Sequence, residues 1–327
     1  MKICFLDNVN IPYTSADIDS NQLRGAENVI INLTRELNYL GHEITVYNNC
    51  NKEIKIENIA WKNIYNIQKD RNIYDLVVTN NDMRLFKGIN ANKYLAFSHS
   101  IQSLEKFIRK KQLIPFLKYK PKIVHLSKYH EQNRSYLLKI FGSFRLNWGL
   151  DEIFLKTDVS NNNKENIAIF TSRVDRNLDL LIKIWKHHIF TRDQNFKLLV
   201  TPNNVDLSQY NIFNRNFGSR KELINDLLKS KILLIPGHKS ELYCIAAEQA
   251  KELCVPIITL GIGALSERVE HGKTGFIAKN EKEFASYAID LFKNPIIFSE
   301  IKNNLLSLRG KNNWSDVANK LILNILK

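Results

Sequence analysis

Residues 231–261 read KILLIPGHKSELYCIAAEQAKELCVPIITLG. Two short apolar runs, ILLIPG and VPIITLG, are rich in Ile and bounded by Pro and Gly, which is the pattern of strands buried on both faces. Between them, AAEQAKEL consists of strong helix formers. Strand, helix and strand in that order make a βαβ unit and imply a parallel sheet. One detail is odd. Glu241 and Glu248 stand in an otherwise small, apolar stretch, and burying a charge without a partner is costly. The spacing predicts a helix starting near Glu241, where a first-turn acid is favourable. Glu248 then falls two turns later on the same face. Two such acids at the carboxyl edge of a sheet can hydrogen-bond a polyhydroxylated ligand. Equally, one can be a first-turn charge and the other a surface acid.

The same alternation extends in both directions. Upstream, KICFLD is a strand, and Val29, Ile30, Leu33, Leu37 and Leu40 recur at helical spacing. Gly41 stops that helix, and EITVY is the next strand. YDLVVTN, KYLAFSH and PKIVHLS follow as strands, the last before a helix through YHEQNRSYLLKIF. The texture changes at NWGLDEIF and the Asn-rich DVSNNNKEN. NIAIFTS then opens a second α/β run. Its further elements are the helix LDLLIKIWKHH, the strand FKLLVTP, the helix RKELINDLLKS and a helix over EKEFASYAIDLFKN. The expected division is residues 1–150, residues 151–311 and a C-terminal helix over 312–327 that can pack back toward the first domain. The fold class is α/β, with two Rossmann-like doubly wound domains facing a central cleft. Ligands of such sheets sit at the carboxyl ends of the strands.

The chain has 327 residues, 44% of them apolar, enough for two globular domains. No run approaches the roughly 18–20 apolar residues of a membrane span. The N-terminus lacks a secretory pattern, so a cytoplasmic protein is expected. The four cysteines form no C-x-x-C pair. The net charge of +14 favours anionic partners. Charge alone would admit a non-catalytic nucleic-acid-binding protein. A dinucleotide-dependent oxidoreductase finds no G-x-G-x-x-G after either first strand.

Three further stretches can carry chemistry. In LGIGALSERVEHGKTGF, Gly261 and Gly263 follow a strand, and backbone N–H groups at such a turn can hold phosphate or sugar oxygens. In FTSRVDRNLDLL, Arg173 and Arg176 follow the first strand of the second domain, and guanidinium forks suit diphosphates. In SLEKFIRKKQLIPFLKYKPK, basic residues including Arg109, Lys110 and Lys111 alternate with apolar ones, which suits an anionic bilayer surface. Pro115 limits that stretch to two short helices. The D-x-D at Asp17–Asp19 is read as chance, and no metal site is expected.

Taken together, these stretches resemble family 4 glycosyltransferases, which have the GT-B fold. SRVDRNLDLLIKIW is similar to the family's strand-loop-Arg segment and helix. ELYCIAAEQAKELCVPIITLG resembles its paired-acid run. Glu267, Val269, Gly272, Thr274, Gly275 and Phe276 match its E-x-V-x-x-G-x-T-G-F. RGAENVIINLTRELNYLGHEITVY and NWGLDEIF are similar to its first-domain loop and helix and to its interdomain segment. The resemblance covers most of the chain in order. It implies transfer of a sugar from a nucleotide-sugar, UDP- or GDP-linked, to a glycan or lipid-linked acceptor. It also implies retention of configuration, no metal or other cofactor, and a role in surface polysaccharide or glycolipid synthesis. A nucleotide-sugar epimerase or hydrolase of the same fold is the alternative enzyme. By resemblance, Glu248 would hold the ribose, Glu241 the donor sugar, and Arg173 and Arg176 the diphosphate beside the amides of Gly263, Ala264 and Leu265. Gly25 would lie near the sugar and diphosphate, and His99 would line the cleft as a catalytic candidate with Glu241. The family's acids are separated by seven residues and these by six, so Ser240 shares the first acid position with Glu241. No nucleic-acid partner is implied, and peripheral contact with the inner membrane face is compatible.

Overall fold

The computed structural model describes residues 1–18, 23, 25–160, 164–216 and 218–326; Asp19 of the D-x-D lies outside them, as do residues 161–163 of the Asn-rich loop. The chain divides into two compact units. Met1–Gly149 with Trp314–Lys327 forms the first, and Leu150–Asn313 forms the second.

Eight strands build the sheet of the first unit: β1 (Lys2–Leu6), β2 (Glu43–Asn48), β3 (Ile54–Ile56), β4 (Ile59–Asn63), β5 (Ile73–Asn80), β6 (Asn90–Phe97), β7 (Lys122–His125) and β8 (Ser143–Arg145). Their order is β3-β4-β2-β1-β5-β6-β7-β8. Every pairing is parallel except the β3–β4 hairpin. The chain order therefore reverses between β1 and β5, and loops that leave this point diverge to opposite faces. Register brings Leu6 opposite Thr79 and Asn80 opposite Phe97. The residues that follow these strands, Asp7, Asn81 and Ser98–His99, thus emerge at one edge.

Six parallel strands build the second unit: β9 (Glu165–Phe170), β10 (Lys197–Val200), β11 (Ile212–Asn214), β12 (Ser230–Leu234), β13 (Ile257–Thr259) and β14 (Gly275–Ile277). Their order, β11-β10-β9-β12-β13-β14, is the 3-2-1-4-5-6 order of a dinucleotide-type sheet, with its switch point between β9 and β12. The apolar runs are strands buried on both faces because helices cover the sheet. Ile232, Leu233, Leu234, Ile257 and Ile258 pack with Leu178, Leu181, Ala247, Ala250, Phe284 and Leu291 in one core.

Several elements differ from the sequence pattern. The helix expected through YHEQNRSYLLKIF is a short helix, Lys128–Gln132, and a separate 3₁₀ turn, Tyr136–Lys139. Ser127 caps the first piece through its hydroxyl. The helix at Leu178–Ile184 continues into a π turn over Trp185–Ile189. The hairpin β3–β4 and the helix Pro295–Leu308 add to the elements expected from the sequence. The last helix, Trp314–Leu326, buries Trp314, Val317, Ala318, Leu321 and Ile325 among Ile3, Phe5, Leu33 and Leu37 of the first unit. Lys93 and Lys122 donate to the Ile325 and Asn324 carbonyls at the negative pole of that helix.

Candidate active site

The loops after β9 and β12 meet at the switch point of the second unit. Asn177, in the left-handed conformation at φ 64°, donates through its amide to the Gly237 carbonyl. The guanidinium of Arg176 reaches Nδ1 of His238 at 3.2 Å and the carboxylates of Glu241 and Asp175 at 3.8 and 3.9 Å. Ser240 N–H donates to the same His238 nitrogen at 3.0 Å. Arg173 forms a two-pronged pair with Asp175 and is exposed. The glycine turn closes on this loop from the β13 side. Gly263 has φ +74°, and a Cβ there would lie 2.4 Å from the His238 carbonyl oxygen. Only glycine allows the two backbones this approach. Ala264 N–H donates to the Glu241 carbonyl at 2.9 Å, so this amide is already engaged. Gly263, Ala264 and Leu265 are buried and Ser240 is exposed.

The helix of the opening stretch does not begin near Glu241. It runs Ile245–Glu252, and Cys244 before it is left-handed at φ 65°. That kink takes Glu241 off the helix, so the two acids share no helical face. Glu241 instead turns its carboxylate onto Cys244 N–H at 3.0 Å, an anion on the amides that lead into a helix. Burial pushes the Glu241 carboxyl up, against the opposing pull of Arg176.

Glu248 is not the surface acid that its spacing also allowed. It is 2% exposed. Its Oε1 accepts from Arg268 at 3.3 Å, and its Oε2 meets Lys251 at 2.9 Å and Asn312 at 2.7 Å. A buried carboxylate requires such partners. Arg268 in turn stacks over the Tyr243 ring at 4.8 Å, which ties this cluster back to the Glu241 loop.

In the first unit, the edge formed by β1, β5 and β6 carries a second polar chain. Tyr13 OH donates to Asp7 at 2.8 Å, and the Asn80 side chain lies close enough to Asp7 to hold its carboxyl down against burial. His99 Nε2 lies 2.5 Å from Asn80 Oδ1, and His99 N–H donates to Asn81 Oδ1 at 2.7 Å. An amide oxygen only accepts, so the His99 proton sits on Nε2. Burial, with a lesser contribution from His130, lowers the His99 pKa to about 4. The imidazole is therefore neutral at neutral pH. His99 packs on Trp148 at 5.1 Å between ring centroids, and a Cβ on Gly25 would lie 3.9 Å from the same indole. These two predicted residues thus share one neighbour. Asp17 serves its own turn, accepting from Thr14 N–H at 2.8 Å.

The family model for glycosyl transferases group 1 matches residues 151–306. The matched residues make up most of the second unit. The whole chain has the GT-B fold. It is similar to HepE from Anabaena, solved in complex with UDP and glucose, at 14% identity and a TM-score of 0.70 over 100% of this chain and 99% of that one. A glycosyltransferase from Rickettsia africae aligns at 16% identity and 0.69, over 100% and 99%. WaaG, a glycosyltransferase involved in lipopolysaccharide biosynthesis, aligns at 11% and 0.66, over 98% of each chain. No curated protein matches the chain by sequence.

Within the matched residues, His238 is the residue that sequence reasoning passed over. Its signal is its place in PGH, one residue beyond β12. Arg268 and Asn312 were missed because they join Glu248 from 20 and 64 residues away. Outside the matched residues, Arg109, Lys110 and Lys111 are exposed on and after the short helix Leu104–Arg109. Among the described residues, no helix is long and apolar enough to cross a membrane.

Proposed function

We propose that this protein transfers a sugar from a nucleotide-sugar to a glycan or lipid-linked acceptor, with retention of configuration. The observation that carries the reading is the convergence of Arg176, His238, Glu241 and the Gly263 turn at the switch point of the second unit. A leaving nucleoside diphosphate gains negative charge, and a positioned guanidinium stabilises that charge. Arg176, with Arg173 once it leaves Asp175, fills this role in the proposal, so no metal is assigned. Glu241 contacts the donor sugar, or leaves that place to Ser240. A carboxylate offers roughly four acceptor positions. Glu248 uses three of them, which leaves one for a ribose hydroxyl. His99, neutral and oriented by Asn80, offers Nδ1 to a sugar or acceptor hydroxyl, and Gly25 leaves room beside Trp148. UDP-sugars are the first donors to test, because HepE is solved with UDP. WaaG, a glycosyltransferase involved in lipopolysaccharide biosynthesis, supports a setting in surface glycan synthesis.

The basic stretch supports peripheral contact with an anionic membrane. Ile108, Ile114 and Leu117 are exposed at 57, 78 and 48%, among Arg109, Lys110, Lys111, Lys118 and Lys120. Apolar side chains and cations on one exposed segment complement lipid headgroups.

A thermal-shift screen against UDP-, GDP-, ADP- and CMP-sugars tests the donor site. A ligand at a hundred times its Kd adds about 2.7 kcal/mol to stability. Stabilisation by one donor class is expected. No shift from any of them would overturn the reading. Turnover of the donor without any acceptor would instead favour the hydrolase or epimerase.

A further inference from the structure

A cavity of about 230 Å³ lies in the first unit beside His99, lined by Ser98, Gln102, Lys106, Lys110 and Gln112 among others. At roughly 30 Å³ per water, this is room for a small ligand group. None of the described residues that line it is acidic. Lys106 is half-buried and spends one N–H on the Ile101 carbonyl at 3.3 Å. An ammonium has three donors, so two are left. Burial, then Lys110 and Arg109, push its pKa down. Among the described residues, the Lys110 ammonium has no hydrogen-bond or ion-pair partner. Gln102 is 4% exposed, and its side-chain oxygen is buried without a partner. An orphaned buried acceptor of this kind costs about 1–3 kcal/mol.

The cavity thus presents two under-used cations and one unmet acceptor. A ligand that satisfies all three carries anionic oxygens and a hydroxyl. We infer that this cavity binds a hydroxylated phosphate ester on the acceptor, with Lys106 and Lys110 on the phosphate and Gln102 on the hydroxyl. This deepens the proposed function, because it names the acceptor class and rests on His99 lying beside the acceptor. Such a phosphate ester can belong to a soluble sugar or polyol phosphate or to a lipid headgroup.

Calorimetric titration of the full chain with glycerol 3-phosphate, dihexanoyl-phosphatidylglycerol and plain glycerol tests it. Binding by either phosphate, but not by glycerol, is expected. Lys106→Gln and Lys110→Gln should each weaken it about tenfold, the loss of a charge-assisted hydrogen bond. Preference for the lipid assigns the phosphate to a headgroup, and preference for glycerol 3-phosphate assigns it to a soluble acceptor. Absence of binding by both, or binding that neither variant weakens, overturns the inference. Lys110 is exposed, so Lys110→Gln keeps the test open if Lys106→Gln fails to fold. Donor stabilisation, measured on the same variants, reports on the second unit. Its loss in wild type with phosphate binding intact would sink the donor reading and spare this cavity.

Discussion

The guanidinium of Arg176 donates to Nδ1 of His238 across 3.2 Å. Because Ser240 N–H donates to that nitrogen too, the ring proton resides on Nε2. The loop after β9 and the loop after β12 are therefore joined through one imidazole. Lysine cannot reproduce the guanidinium fork. Arg176→Lys should weaken donor binding about 10- to 100-fold, the range of one hydrogen bond to a charged group, with a small change in melting temperature. An unchanged donor Kd would remove Arg176 from the site.

Gly263→Ala should destabilise the second unit more than Gly272→Ala. Both glycines have positive φ, at +74° and +80°. A Cβ at Gly263 meets the His238 and Glu241 carbonyl oxygens at 2.4 and 2.8 Å, whereas nothing lies within 4 Å at Gly272. Backbone strain alone costs about 1–3 kcal/mol, so the excess at Gly263 reports the close approach. Urea titration of both variants checks this, and equal losses would contradict it.

The first unit should lose stability on acidification. Burial lowers the pKa of His125 to about 3 and of His130 to about 4, and both rings are 0% exposed. Their unfolded pKa is about 6.5. The unfolded chain therefore binds more protons as pH falls below that value, and stability declines toward pH 4. The expected slope is about 1.4 kcal/mol per pH unit for each group. Both ring nitrogens of His125 lack partners, so an apolar ring sacrifices no hydrogen bond there. His125→Phe should flatten the slope measured by denaturant titration between pH 4 and 6.5. An unaltered slope would exclude His125 as its source.

Reversal of Arg109, Lys110 and Lys111 to Glu should abolish flotation with vesicles containing phosphatidylserine. Each basic residue near such a surface contributes about 1 kcal/mol. Retained flotation, or absence of flotation by the wild type, would refute the membrane contact.

Much of this architecture is legible in the chain because buried parallel strands leave short apolar runs and their helices leave periodic ones. KILLIPG and VPIITLG are strands at the places their composition marks. Arg173, Arg176 and Gly263 also stand in the loops that the pattern assigns to them. What escapes is decided by single backbone angles and distant partners. The left-handed Cys244 separates Glu241 from the helix, and no helical periodicity reveals a kink of one residue. Glu248 looks like an exposed acid until Arg268 and Asn312 arrive from elsewhere in the chain. The His99–Asn80–Asp7 line exists only because β1, β5 and β6 are neighbours in a sheet whose order differs from the chain order.

The hold of Glu248 on Asn312 fixes where the second unit can be cut. Truncation at residue 306, the end of the family match, would discard Asn312 and with it a 2.7 Å donor to Glu248. It would also remove Arg309 and Gly310, which satisfy Glu252. Two acids would then be left short of donors in the interior, at a cost of about 1–3 kcal/mol for each group. A freestanding second unit should accordingly end no earlier than Asn313.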